Sequence, residues 1–177
     1  MGRFAAPAPA GTQLADGVGA ELFKAIFRHH PAGVAVITLR DAEGPVGFTA
    51  TSVISVAAEP PHLAFSVAAA SSSREAIDRA TSVVVNFLGE DQQAIADQFA
   101  RRNIDRFAGI DWRPLPTGEP VLAGTTAWIR GTVENRVPVG DSLLVTVRAD
   151  EADHAEGPAP LVYVDRSYHR LGKHSRI

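Results

Sequence analysis

Three apolar runs follow one another with only turns between them: "GVAVITL" (Gly33 to Leu39), Val46 to Val56, and "HLAFSV" (His62 to Val67). "RDAEGP" makes a hairpin turn between the first two, and Pro60 and Pro61 introduce the third. Strands joined this closely pair antiparallel, because a parallel pair needs a long crossover. "SVVVNFL" (Ser82 to Leu88), "AWIRGTVENRVPV", "SLLVTVRADEADH" and "PLVYVD" continue the series. Helices are expected only as insertions. Ala20 to His30 carries Leu22, Phe23, Ile26 and Phe27 on one face and stops at Pro31; a second runs from Ser72 to about Ala80, and a third spans Glu90 to Arg102. The expected fold is mainly β, an antiparallel barrel with inserted helices, and not a doubly wound parallel sheet.

With 177 residues the chain reads as one domain over 20–177, preceded by a flexible Ala-, Pro- and Gly-rich extension over 1–19. It contains no cysteine, so disulfides, thiol nucleophiles, zinc ribbons and iron–sulfur clusters are excluded. Redox chemistry on such a chain needs an organic cofactor. The net charge is −3 with no basic block, which argues against nucleic acid as a partner. No apolar run has a bilayer's length and the N-terminus lacks an apolar signal region, so the expected location is cytoplasmic, away from membranes.

Several motifs are missing. Gly17-Val18-Gly19 is followed by Leu22 where a dinucleotide fingerprint needs glycine, and neither a Walker A sequence nor a G-x-S-x-G elbow occurs. The six histidines include no H-x-x-x-H pair, so no metal site is expected.

What stands out is "GFTATSVISV" (Gly47 to Val56), with Thr49, Thr51, Ser52 and Ser55 in an otherwise apolar strand. Thr49, Thr51 and Ser55 share one parity, and Phe48, Ala50, Ile54 and Val56 the other. An exposed edge strand and a wall of small donors for a flat polar ligand both fit this pattern. Further on, Ser72-Ser73-Arg74-Glu75 matches the S-x-x-E capping box. Ser71 and Ser73, with Arg74 and the helix start, would make a phosphate cradle; the alternative is a cap and nothing more.

In chain order, "FRHHPAGVAVIT" (27–38), "GFTATSVISVAAEPPHLAFSV" (47–67), "SSSREAI" (71–77), "VVVNFLGEDQQAIADQFA" (83–100) and "DRFAGIDW" (105–112) are followed by three more segments. These are "GEPVLAGTTAWIRGTV" (118–133), "GDS" (140–142) and "PLVYVDRSYHRL" (160–171). Together, over residues 20–172, they resemble the short-chain flavin reductases: the flavin-reductase-like, FMN-binding split-barrel domain of two-component monooxygenase systems.

The resemblance implies a homodimeric Greek-key split barrel holding FMN or FAD near the subunit interface. NADH or NADPH would be the co-substrate and a separate monooxygenase the partner. By the same resemblance Thr49, Ala50, Thr51 and Ser52 line the isoalloxazine ring, while Ser55 faces either flavin or barrel interior. Ser66, Val67, Ser71, Ser72 and Ser73 approach the ribityl chain and phosphate. Arg101 and Phe107 fall on the phosphate or adenine side, and His169 near the nicotinamide nucleotide. No catalytic side chain is implied, because the cofactors carry the hydride chemistry. One departure is Ser142, where the family usually has histidine in Gly-Asp-His; it bears on nucleotide preference or rate. A non-catalytic flavin-binding module of the same fold, a sensor or carrier, is the alternative function. A split-barrel oxidase of a pyridoxal precursor is a third.

Overall fold

The computed structural model describes residues 17–155 and 157–171, so most of the expected extension over 1–19 lies outside the described residues. The elements in order are α1 (Ala20–Arg28), β1 (Ala32–Gly33), β2 (Ala35–Asp41), β3 (Gly44–Ala50), β4 (Ile54–Ala58), β5 (Pro61–Ala68) and α2 (Arg74–Arg79). There follow β6 (Ser82–Phe87), α3 (Gln93–Ala100), β7 (Trp112–Pro114), β8 (Pro120–Leu122), β9 (Ala127–Val139), β10 (Ser142–His154), β11 (Leu161–Val164) and β12 (Ser167–Arg170).

One sheet of seven strands, ordered β3-β2-β6-β9-β10-β5-β4, carries the fold, and every neighbouring pair in it is antiparallel. The first and last strands of that order are consecutive in sequence, joined only by residues 51–53. A connection that short reaches about 14 Å at full extension. Laid flat, the two edges would stand roughly 29 Å apart at the usual strand spacing. The sheet must therefore curl until its edges nearly meet. It forms a barrel whose seam is bridged by Thr51-Ser52-Val53 and not by a hydrogen-bond ladder.

Inside the barrel Ile37, Phe48, Phe65, Val85 and Val145 form the main core. A second core lies outside it, where Val36, Leu88, Phe99, Leu122 and Leu161 pack beneath α3 and the small β1-β11-β12 sheet. Strand β6 shows why its sequence is continuously apolar: Val83 and Val85 face the inner core, while Val84 packs with Leu115, Val121 and Trp128 under the β7–β8 ribbon. Two glycines are needed where elements touch. A Cβ on Gly47 would stand 2.6 Å from the Phe99 ring, and one on Gly131 would stand 2.3 Å from the Arg148 carbonyl oxygen.

A line of charges runs across the outer face. Glu119 is buried and accepts hydrogen bonds from Ser82 and Thr117, with Arg130 3.3 Å away. Burial alone would raise its pKa, but these hydrogen bonds and the arginine hold it below the ordinary carboxylate value. The line continues through Asp150, Arg148 and Glu134 to His62.

Three details of the elements bear on the site. The stretch from Val46 to Val56 is not one strand: the ladder stops at Ala50 and resumes at Ile54, so the hydroxyl parity is broken at the seam. The third helix starts at Gln93, not Glu90, because the buried Gln92 side chain accepts the Gly89 amide and donates to the Ala123 carbonyl, fixing the preceding turn. Finally, Leu22, Phe23, Ile26 and Phe27 share a helix face as expected, but all four are more than half exposed in the single chain.

Candidate functional site

The seam opens into a cleft of about 800 Å³ between α1, β1, residues 51–54 and the β11–β12 turn. Thr51, Ser52, Ser66 and Tyr163 are among its walls, with Phe23 and Phe27 on the α1 side. The turn and loop hydrogen bonds of the described residues include none from the amides of Thr51, Ser52 or Val53. A strip of free backbone donors thus borders the cleft, as a ligand with carbonyl and imide edges requires. Ser52 Oγ bonds both backbone groups of Ser66, which fixes the strip against β5.

Ser66 also lines a second, smaller cavity of about 250 Å³, bounded by Thr49, Val67, Ser71, Ser72, Arg102 and Arg106. The two spaces meet at Ser66. Near it the serine turn departs from the capping box. Ser73, not Ser72, precedes α2, and no side chain caps the helix. Two amides at its start are engaged locally: Ser73 N–H donates to Ser71 Oγ and Arg74 N–H to the Ser71 carbonyl. The hydroxyl oxygens of Ser72 and Ser73 instead accept hydrogen bonds from Arg106. Arg74 turns away to pair with Asp78.

The remaining expected residues divide. Thr49 lies at the seam, but its hydroxyl donates to the Ala96 carbonyl of α3 at 2.6 Å. Ala50 and Val67 are buried in the inner core. Ser55 is exposed on the edge strand β4 and lines neither cavity. Arg101 is exposed, and its carbonyl rather than its guanidinium takes part, accepting from Arg106. Phe107 packs edge-on between Phe99 and Trp112, at 5.0 and 5.6 Å. That stack anchors the loop from behind, although Phe107 also borders a third hollow beside Ser72 and Ser73. His169 is exposed on β12, paired with Val162 and outside both cavities. Ser142 pairs with Ala68 at the β9–β10 hairpin tip, where the Asp141 carbonyl accepts the Ala69 amide.

The residue the sequence did not single out is Arg106. Nothing local in "ARRNIDR" distinguishes it from Arg101 and Arg102. Burial, and then the neighbouring charge of Arg102, lower the Arg106 pKa. Tyr168, stacked on Tyr163 at 5.1 Å, is pushed up to about 12, first by burial and then by Asp97 beside it. It stays protonated at neutral pH and serves as packing.

Residues 27–172 match the flavin reductase like domain. An NADH:FMN oxidoreductase of Rhodococcus qingshengii is 47% identical over 164 residues, covering 89% of this chain and 85% of that protein. The flavin-dependent monooxygenase reductase subunit HsaB of Rhodococcus jostii is 32% identical over 158 residues, covering 89% and 81%. Among solved structures, a flavin reductase domain protein from an Arthrobacter species superimposes with a TM-score of 0.82 at 39% identity, covering 86% of this chain and 95% of that one. The ordered motifs, the seamed antiparallel barrel and these likenesses agree: the chain belongs to the flavin reductase like family.

Proposed function

We propose that the protein is an NAD(P)H-dependent flavin reductase that holds FMN or FAD across the seam and supplies reduced flavin to a separate monooxygenase. The observation that carries this reading is the pairing of a free-amide strip at Thr51, Ser52 and Val53 with an uncompensated basic pocket, joined through Ser66. A flavin mononucleotide has the same two ends, a planar imide and a phosphate, separated by a polyol chain.

When bound, the flavin supplies the hydride acceptor and the nicotinamide nucleotide the donor. The chain's own groups position and stabilise. Amides of Thr51, Ser52 and Val53 donate toward the pyrimidine edge, where negative charge accumulates on reduction. Ser52 and Ser66 brace that strip, Phe23 and Phe27 shield the cleft from water, and Arg102 and Arg106 offset the phosphate charge. No side chain has to move a proton in the hydride step, consistent with the absence of a titratable group in the strip.

The working form we propose is a homodimer. Leu22 and Ile26 of α1 and Ile54 and Val56 of β4 are each more than half exposed, and none of the described residues covers them. A second copy would cover this face and close the open side of the cleft. No described helix is long and apolar enough to cross a membrane. We place the reaction in the cytoplasm, where reduced nicotinamide nucleotides are supplied.

The test is a turnover assay of the purified protein with NADH or NADPH and with FMN or FAD. Flavin-dependent nucleotide oxidation is expected. Tight flavin binding without oxidation would select the non-catalytic module instead, and neither binding nor oxidation would overturn the reading.

A further inference from the structure

The β11–β12 hairpin turns through two residues, Asp165 and Arg166, between the paired Val164 and Ser167. Both have positive φ, 50° and 62°. A two-residue turn of this kind needs left-handed backbone at both places, which aspartate tolerates at the first and glycine adopts freely at the second. Here the second place holds an arginine, and that arginine lines the cleft. The turn is also tied down: the Asp165 amide donates to the Arg28 carbonyl at 2.8 Å, at the end of α1. Arg28 lines the cleft as well, so one backbone hydrogen bond sets two guanidinium-bearing residues on the same rim.

The charge on that rim is unbalanced. Lys24, Arg28 and Arg166 are its cations and Asp165 its one carboxylate, with His30 beside them. Lys24 pairs with Glu21, whereas among the described residues no carboxylate forms an ion pair with Arg28 or Arg166. The closing turn of α1 reaches this wall with its carbonyls covered: Ile26 accepts from the His29 amide, Phe27 from His30 and Arg28 from Asp165. The donors left to an anion here are side chains.

The proposed function takes the flavin phosphate to the other cavity, beyond Ser66, beside Arg102 and Arg106. The cations of the α1 wall are then left for the second reactant. A nicotinamide dinucleotide carries a diphosphate, and this chain lacks the glycine fingerprint by which a helix start would hold one. Arginine forks take phosphate oxygens in pairs.

We propose that Arg166 and Arg28 form a two-point clamp for the diphosphate of the nicotinamide nucleotide, with Arg166 selecting a phosphate-bearing hydride donor over an uncharged one. This rests on the reading of the protein as a flavin reductase. The Asp165–Arg28 hydrogen bond fixes the spacing of the clamp, and arginine stands at the one place in the turn where glycine would be the easier residue.

The test uses the full chain and two readouts: equilibrium binding of NAD+, and turnover with FMN of either NADH or N-benzyl-dihydronicotinamide, a hydride donor without phosphate. Arg166→Gly should weaken NAD+ binding and raise the KM for NADH, each by about 10-fold, the worth of one charge-assisted contact. Its melting temperature should not fall, since glycine suits the turn. Arg166→Lys should be intermediate, and Arg28→Gln combined with Arg166→Gly should exceed either change alone. The kcat/KM of the benzyl donor should not follow these losses. Added salt should weaken NAD+ binding more in wild type than in Arg166→Gly. The proposal is overturned if Arg166→Gly keeps both its NAD+ affinity and its KM for NADH. It is equally overturned if kcat/KM falls in parallel for NADH and the benzyl donor, which marks a role in the shape of the cleft. A wild type that oxidises neither donor overturns the reductase reading instead, and the NAD+ titrations still decide the clamp.

Discussion

Ser52 Oγ donates to the Ser66 carbonyl at 3.2 Å and accepts the Ser66 amide at 3.0 Å, so one side chain completes a rung that backbone would otherwise form. The β4–β5 register places Ile54 opposite Ala64, and continuing it by two pairs brings position 52 opposite 66. Because the side chain satisfies Ser66, the backbone amide of Ser52 remains free at the cleft.

Ser52→Ala leaves both backbone groups of Ser66 without this partner and is expected to cost about 1–2 kcal/mol. Thermal unfolding should show a lower melting temperature, and an FMN titration should show weaker binding because the amide strip loosens. An unchanged melting temperature together with unchanged FMN affinity would show that Ser52 braces nothing.

Gly131→Ala brings a methyl group against the Arg148 carbonyl and the Val147 side chain, at 2.3 and 2.5 Å before relaxation. Backbone cannot yield as a flexible side-chain tip does, so the expected cost is about 2 kcal/mol. Chemical denaturation measures it; a loss within error would mean that the long β9–β10 hairpin shifts freely at this point.

Much of this fold was legible in the sequence, and the failures share one physical origin. The runs Ala35–Asp41, Pro61–Ala68 and Ser82–Phe87 announce themselves because each holds consecutive buried residues that are largely apolar, such as Leu63-Ala64-Phe65 and Val83-Val84-Val85. The bend at 51–53 could be suspected from its hydroxyls, but its role as the link between barrel edges is a property of the closed sheet. Ser72 matches a capping box locally, yet its oxygen is taken by Arg106, 34 residues away. Of the arginines in "ARRNIDR", sequence alone favoured Arg101, because nothing local says which one turns inward. Local patterns identify elements; competition for a hydroxyl between a near amide and a distant guanidinium is settled only in the folded chain.

His62 gains a partner on folding. Its ring is within hydrogen-bond distance of the Pro60 carbonyl and the Glu134 carboxylate, and these raise its pKa above 6.5, although Arg148 nearby opposes them. A raised folded-state pKa means that the stabilisation is complete below 6.5 and is lost as pH climbs through the raised value. The melting-temperature gap between wild type and His62→Gln should therefore be wider at about pH 5.5 than at about pH 8.5. A gap independent of pH would rule out protonation as its source.

Leu22→Asp with Ile26→Asp puts two charges on a surface the isolated chain leaves open, so the monomer fold should survive. Light scattering should report a dimer for the native protein and a monomer for the double variant. Flavin affinity should fall with dissociation, because one side of the cleft is then unsheltered. A double variant that stays dimeric would place the interface elsewhere.

The crossing at Thr51-Ser52-Val53 has a bearing on turnover. A bound plane can leave sideways between two laddered strands only by breaking backbone hydrogen bonds. Here the two edges are tethered by covalent chain, so the mouth can widen while every strand pairing in the sheet stays intact. Release of product is thereby uncoupled from the integrity of the barrel, which suits a protein whose task is to give its flavin away.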